Sequence, residues 1–170
     1  MKKTGTPILE KPYRAPAIAG FDAMRTKISQ DSFDGKWVVL YFYPKDMTPG
    51  CTTQAGDFQR MAEEFEDLNA VIVGVSKDSC EKHQKFADKE GLRFLLISDE
   101  FGRLCDEYGV WKEKSMYGRN FMGIERTTFL INPQGEIVAL WPKVKVTNHV
   151  VEVLETLKEC KKRAIRQPRG

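Results

Sequence analysis

The sequence is poor in whatever would send it into or across a membrane. Its longest uninterrupted apolar run covers residues 37–43, far short of the roughly 20 residues that span a bilayer. The amino-terminal Met1-Lys2-Lys3-Thr4-Gly5-Thr6-Pro7 is basic but has no apolar stretch behind it, which excludes a secretory signal by composition. A cytoplasmic location is the expectation, and with it a compartment that keeps thiols reduced. Cysteine is sparse and never paired as Cys-x-x-Cys. The four cysteines, Cys51, Cys80, Cys105 and Cys160, are therefore expected to be free, metal-binding or catalytic rather than a structural disulfide framework. Histidine is scarcer still. Cys80-x-x-His83 is a lone pair with His149 far away, short of the four ligands that a structural zinc needs. It reads as chance spacing on a helix, and neither a metal nor another cofactor is expected. The net charge is only +3, much of it from the stretch running from Lys161-Lys162-Arg163 to Arg169. The body is close to neutral and has no basic face of the kind that holds nucleic acid.

What remains is an ordinary globular composition. The 170 residues are 41% hydrophobic and 30% charged, enough for one domain with a real core. No internal repeat or low-complexity block divides the chain. Pro7, Pro12 and Pro16, followed by Asp31-Ser32-Phe33-Asp34-Gly35, suggest an extended arm and a short hairpin. Trp37-Val38-Val39-Leu40-Tyr41-Phe42-Tyr43 is apolar on both faces and rich in β-formers, which suits a central strand covered on both sides. A helix is expected from about Cys51 to Leu68, with Ala55, Phe58, Met61, Ala62, Phe65 and Leu68 spaced three and four apart. Residues 70–75 make a second buried strand. Asp78 and Glu81 suggest a capping box that opens the next helix, which stops before Gly91. Residues 93–97 form a third strand and 101–108 a short helix, while 112–125 read as loop. Two further strands flank Asn132-Pro133-Gln134-Gly135, a hairpin signal. Residues 150–157 close the fold as a helix, and 158–170 read as a basic, solvated tail that lacks fixed structure. The expected class is α/β, with helices on both faces of a central mixed sheet.

The chemistry concentrates in Tyr41-Phe42-Tyr43-Pro44-Lys45-Asp46-Met47-Thr48-Pro49-Gly50-Cys51-Thr52-Thr53-Gln54-Ala55. A strand ends at the carboxyl edge of the sheet, where ligands bind in open α/β folds. A proline-rich loop turns, and a cysteine opens a helix. A thiol in a helix first turn meets unpaired backbone N–H groups and the positive end of the dipole, and both favour the thiolate. That position serves any thiolate chemistry, and a cysteine there can equally be a small buried hydrophobe.

Pro44-x-x-x-Thr48-x-x-Cys51 resembles the active-site signature of the peroxiredoxins. The wider string from Phe42 to Thr52 is similar to the bacterioferritin-comigratory (Q-type) subfamily almost letter for letter. The likeness continues at Gly74-Val75-Ser76-Lys77-Asp78-Ser79, at Leu96-Ile97-Ser98-Asp99, at Tyr108-Gly109-Val110-Trp111, at Gly123-Ile124-Glu125-Arg126-Thr127-Thr128-Phe129-Leu130-Ile131 and at Asn148-His149. The resemblance implies a thioredoxin-like fold, reduction of hydrogen peroxide or organic hydroperoxides, and a monomer recycled by thioredoxin or a small thiol. By the same resemblance Cys51 attacks the O–O bond and becomes a sulfenic acid, and Thr48 offers its hydroxyl to thiolate and peroxide. Pro44 shields the site, the backbone N–H groups near Gly50 and Cys51 bind a peroxide oxygen, and Arg126 holds the thiolate and polarises the substrate. Each residue also has a purely structural reading: Thr48 as a turn residue, Pro44 as a strand terminator, Arg126 as a surface charge. Trp111 and Tyr43 read as core or pocket wall, and His149 as a surface or capping residue.

One position departs from the subfamily. Many members carry a second cysteine five residues after the first, where this chain has Gly56. Some Q-type members instead place the resolving cysteine where Ala87 stands. Cys80, seven residues earlier and two turns along the same helical face, becomes the candidate resolving partner. Helices that follow parallel strands begin at the same sheet edge, so Cys80 and Cys51 should share that edge, even if on opposite faces of the sheet. Direct reduction of Cys51 by an external thiol is the remaining route. A thioredoxin-type thiol–disulfide oxidoreductase and a non-catalytic redox sensor on the same fold are the competing functions. The missing Cys-x-x-Cys weighs against the first.

Overall fold

The computed structural model describes residues 6–166. Its centre is an eight-stranded mixed sheet in the order β1 (Ile8–Arg14), β10 (Glu136–Trp141), β9 (Thr127–Ile131), β4 (Trp37–Phe42), β5 (Ala70–Ser76), β6 (Leu95–Ser98), β2 (Gly20–Asp22) and β3 (Lys27–Ile28). The middle strand β4, Trp37–Phe42, is buried along its whole length. It pairs parallel to β5, Ala70–Ser76, and antiparallel to β9, Thr127–Ile131. With both edges hydrogen-bonded, its side chains alternate between two cores. Trp37, Val39, Tyr41 and Tyr43 face one cluster of buried residues. Val38, Leu40 and Phe42 face the other. The apolar run that reads as a doubly covered strand is one.

The chain leaves β4 into α1, Pro49–Arg60, and α2, Ala62–Asp67, and returns to β5. It then passes through α3, Cys80–Glu90, to β6, Leu95–Ser98, which is parallel to β5. Parallel crossovers are almost always right-handed, and both advance in the same direction across the sheet. Both therefore place their helices on the same face. Cys51, Ala55 and Phe58 of α1 and Phe86 of α3 pack into one cluster. Cys51 and Cys80 share a face as well as an edge, which corrects the allowance for opposite faces. The other face is covered by α4, Arg103–Glu107, with Ile18, Ile28 and Phe33 of the amino-terminal segment. That segment supplies β1, Ile8–Arg14, paired with β10, Glu136–Trp141, and the small hairpin of β2, Gly20–Asp22, and β3, Lys27–Ile28.

Several boundaries differ from those read in the sequence. The first helix is two, broken at Met61, which caps the end of α1 and the start of α2 at φ −104°. It begins at Pro49, a favoured first helical residue. The cap of α3 is Ser79, whose side chain accepts from the Lys82 N–H, because Asp78 turns inward. Residues 112–125 are not loop. They form β7, Trp111–Met116, and β8, Arg119–Ile124, an antiparallel ribbon outside the main sheet. Tyr117 and Gly118 both lie at positive φ in its two-residue turn, the geometry that matches strand twist.

The carboxyl-terminal helix α5 runs over His149–Arg166, well past the expected end at 157. Cys160 stays on its buried face, and the Lys161 ammonium reaches the Leu68 carbonyl at 2.6 Å. The proposed basic tail is thus helical to Arg166, and residues 167–170 lie outside the described part. Among the described residues no helix is long and apolar enough to cross a membrane.

Candidate active site

Cys51 lies in the first turn of α1 and is 2% exposed. The first intrahelical hydrogen bond of that turn runs from the Thr52 N–H to the Thr48 carbonyl at 2.9 Å. The Gly50 and Cys51 amides precede it and belong to the open donors of the helix start. Arg126 sits just before β9, the strand hydrogen-bonded to β4, so its side chain rises beside that turn. Its Nη2 donates to Cys51 Sγ at 3.5 Å and its Nη1 to Gln54 Oε1 at 2.7 Å. Gln54 is fully buried one turn along α1. The planar guanidinium is thereby fixed by a neutral acceptor while its other arm meets the sulfur. Gly50 makes the approach possible, since a Cβ there would stand 3.2 Å from Arg126 Nη2.

Lys114, on β7, feels the charges of this site from a distance. Burial lowers the pKa of Lys114, and the Arg126 charge lowers it further, against opposing pulls from Glu125 and Cys51. The other expected residues fall around Cys51 unequally. Pro44 is half-buried where the chain leaves β4. Thr48 is half-buried at the helix cap, but its hydroxyl donates to the Lys45 carbonyl at 2.8 Å, so the structure does not point that proton at the thiol. Met47, between them, takes a left-handed φ of 67°, which is costly for a non-glycine residue and typical of functional loops. His149 is not a surface cap. It is 3% exposed, its Nε2 lies 2.8 Å from Thr128 Oγ1, and its ring meets Trp141 and Phe58 edge-on. Burial, with Arg126 adding to it, lowers its pKa to about 4.

The remaining cysteines divide sharply. Cys105 is buried and held against Asp99, which with burial pushes its thiol far up. Burial pushes Cys160 up to about 11. Cys80 is half-buried at the first position of α3. All four are free.

Sequence reasoning missed a set of polar residues beneath the loop. Tyr43, Asp46, Asp78 and His83 are buried and mutually hydrogen-bonded. His83 passed as chance spacing. The one signal available was an aspartate inside an otherwise apolar and turn-forming string. A surface cavity of about 590 Å³ between α1, α2 and β5, lined by Gln59, Glu63, Asn69 and Phe94 among others, includes none of the residues above.

Comparison with known proteins agrees with this geometry. The AhpC/TSA family model matches residues 13–140. Peroxiredoxin Bcp of Bacillus subtilis is 53% identical over 132 residues, 78% of this chain and 84% of the relative. Its namesake in Escherichia coli K12 is 41% identical over 145 residues, 85% and 93% of the two chains. Among solved structures, the bacterioferritin comigratory protein of Xanthomonas campestris superposes with a TM-score of 0.80 at 44% identity, covering 84% of this chain and 90% of that one. Peroxiredoxin Q of Xylella fastidiosa gives 0.79 at 39% identity, covering 94% and 95%. A mixed sheet of this order, a cysteine at the start of α1 and this breadth of likeness lead to one conclusion: the chain belongs to the AhpC/TSA family and is an enzyme of the peroxiredoxin Bcp (Q) type.

Proposed function

We propose that Cys51 is the peroxidatic nucleophile of a thiol-dependent peroxidase acting on hydrogen peroxide and organic hydroperoxides. The observation that carries this reading is the Arg126 guanidinium, anchored on Gln54 and placed 3.5 Å from Cys51 Sγ at an open helix N-terminus. The Cys51 thiolate attacks the terminal peroxide oxygen, the O–O bond breaks, and the alkoxide leaves as an alcohol on taking a proton. Cys51 becomes a sulfenic acid and the peroxide is reduced by two electrons. The amides of Gly50 and Cys51 and the Arg126 fork stabilise the charge that develops on the oxygens. Thr48, whose proton is given to Lys45, keeps lone pairs with which to accept from the peroxide O–H. Pro44 covers the outer side. The alkyl peroxide reduction named for the Xanthomonas campestris protein supports the organic branch of the substrate class. A hydroperoxide group needs no cavity of large volume.

The sulfenic acid is resolved by Cys80. Its thiolate attacks the Cys51 sulfur, water leaves, and the disulfide is reduced by thioredoxin or a small thiol. Cys105 and Cys160 are buried and held as thiols, which is the unreactive form. Cys80 is half-buried at the start of a helix on the same face as α1. A disulfide requires Cα atoms within roughly 7 Å, so on this reading the first turns of one or both helices unwind to form it. A monomer, from the family resemblance, and a cytoplasmic location, from the composition, complete this reading.

Stopped-flow peroxide consumption with peptide mapping tests both steps. Cys51→Ser is expected to abolish consumption, because an alcohol is hardly ionised at neutral pH, and retained turnover refutes the nucleophile. Cys80→Ser is expected to lose both the Cys51–Cys80 disulfide and thioredoxin-supported turnover. Full turnover in Cys80→Ser leaves an external thiol or another partner in its place.

A further inference from the structure

The carboxyl ends of the three parallel strands meet in a buried polar network that no step above uses. Asp46, in the loop five residues before Cys51, is 7% exposed. Its Oδ1 accepts from the Tyr43 hydroxyl at 2.6 Å, and its backbone N–H donates to Asp78 Oδ2 at 2.8 Å. Its Oδ2 lies 2.6 Å from Nδ1 of His83, a fully buried residue of α3. His83 Nε2 in turn lies 3.0 Å from the Ile97 carbonyl on β6. Asp78 accepts from Ser76 Oγ at 2.6 Å, and its own carbonyl accepts from Ser98 Oγ at 2.6 Å.

The acceptors decide where the protons are. A carbonyl can only accept, so His83 Nε2 carries a hydrogen. The Tyr43 hydroxyl donates to Oδ1. The short Nδ1···Oδ2 contact therefore holds one further proton, and every polar atom of the Asp46–His83 pair is satisfied. Asp46, Asp78 and His83 also bring ligand atoms as close together as a metal site would. The 2.6 Å between Nδ1 and Oδ2 is nevertheless shorter than the roughly 3.3 Å between two ligands on a tetrahedral zinc with bonds near 2.0 Å. What joins this pair is a proton.

We propose that Asp46 and His83 are positioning residues, a latch that pins the Pro44–Thr48 loop to α3 and so holds the first turn of α1, with Cys51, against Arg126. The proposal rests on Cys51 being the peroxide-reactive thiol. Two contacts reach Asp46 from α3 and from the turn before it, one to its side chain and one to its backbone, and both originate outside the loop. The contacts of the segment after Asp46 are local: Met47 lies at positive φ, the Thr48 hydroxyl donates back to the Lys45 carbonyl, and the cap has no side-chain bond to the helix. Asp46 is thus its fixed end. Cys80 stands one turn before His83 on the same helix, so the element that latches the reactive form also carries the candidate resolving thiol. Freeing the latch favours the unwound form. The peroxide step slows and the resolving step does not. General destabilisation would slow both.

The test compares Asp46→Leu, Asp46→Asn and His83→Leu in the full chain. Rapid-quench dimedone trapping reads sulfenic acid formation with hydrogen peroxide. Overoxidation at excess peroxide reads how long the sulfenic acid stays folded, and circular dichroism establishes that each variant is folded. His83→Leu and Asp46→Leu are expected to slow sulfenic acid formation about tenfold or more and to resist overoxidation at peroxide levels that inactivate the parent. Asp46→Asn is expected to recover most of that loss, since its amide accepts from Tyr43 and donates to a neutral imidazole. A folded His83→Leu with the parent rate and parent overoxidation overturns the latch, as does Asp46→Asn falling as far as Asp46→Leu. If His83→Leu does not fold, Tyr43→Phe carries the same expectation on a smaller scale, and parent behaviour there overturns it. Peroxide consumption by Cys51→Ser would instead refute the nucleophile, whatever the latch variants do.

Discussion

Replacing Arg126 by Gln is the most direct perturbation of the site, because it removes one charge and keeps an amide donor. At 3.5 Å from Cys51 Sγ, a full charge pair attracts by about 5 kcal/mol at an effective dielectric near 20. Much of that is offset, since Arg126 is half-buried and must be partly stripped of water. Hydrogen bonds to charged groups net about 1.5–3 kcal/mol. Taking about 2 kcal/mol, the second-order rate with hydrogen peroxide should fall about thirtyfold at neutral pH. Arg126→Lys restores the charge but cannot meet Gln54 Oε1 and Cys51 Sγ together through one planar fork. It should recover only part of the loss and remain about tenfold slow, or about 1.4 kcal/mol. A variant whose shorter or non-planar donor fails to reach the buried Gln54 carbonyl also loses about 1–3 kcal/mol of stability, which thermal melts will register. Stopped-flow kinetics on the reduced enzyme gives the rates. An Arg126→Gln rate within twofold of the parent refutes the reasoning and leaves Arg126 a surface charge.

Two further outcomes follow from side-chain surroundings. A Cβ at Gly56 would meet only Arg60 Nη1 at 4.0 Å, and Gly is a poor helix interior residue. Gly56→Cys should therefore fold at least as well as the parent. In a Cys80→Ser background it should restore thioredoxin-supported turnover through a disulfide between Cys51 and the introduced thiol, and mass mapping that finds no such link counts against it. His149 is buried neutral, its pKa lowered from 6.5 to about 4. The unfolded chain takes up a proton that the folded one refuses, so stability is complete above about pH 6.5 and falls by about 3 kcal/mol as pH drops toward about 4. His149→Gln should flatten that part of the melting-temperature profile, and an unchanged slope would show that His149 is not its source.

The sequence by itself determined whatever depends on local spacing and on the character of a continuous run. Residues 37–43, apolar on both faces, could only be a strand covered twice, and their side chains do split between two cores. A strand, a proline-rich turn and helical spacing after Cys51 placed that thiol in a first turn, where the structure has it. The resemblance then supplied Arg126, and the structure brings it to the sulfur. Periodicity fails where burial is absent or where polarity is buried. The β7–β8 ribbon is largely exposed, so it has little apolar rhythm to read. Helix α5 outruns its apolar pattern because Cys160 keeps packing and Lys161 finds the Leu68 carbonyl 93 residues away in sequence. His149 reads as a surface or capping residue and His83 as chance spacing on a helix, because hydropathy gives a polar side chain no reason to be inside. Their partners, Thr128 and Asp46, stand 21 and 37 residues away, and only the tertiary fold brings them within reach. A buried polar group is tolerable only when satisfied. The sequence could therefore place the reactive thiol, while the side chains that hold its loop in position were decided by contacts that exist only once the sheet has formed.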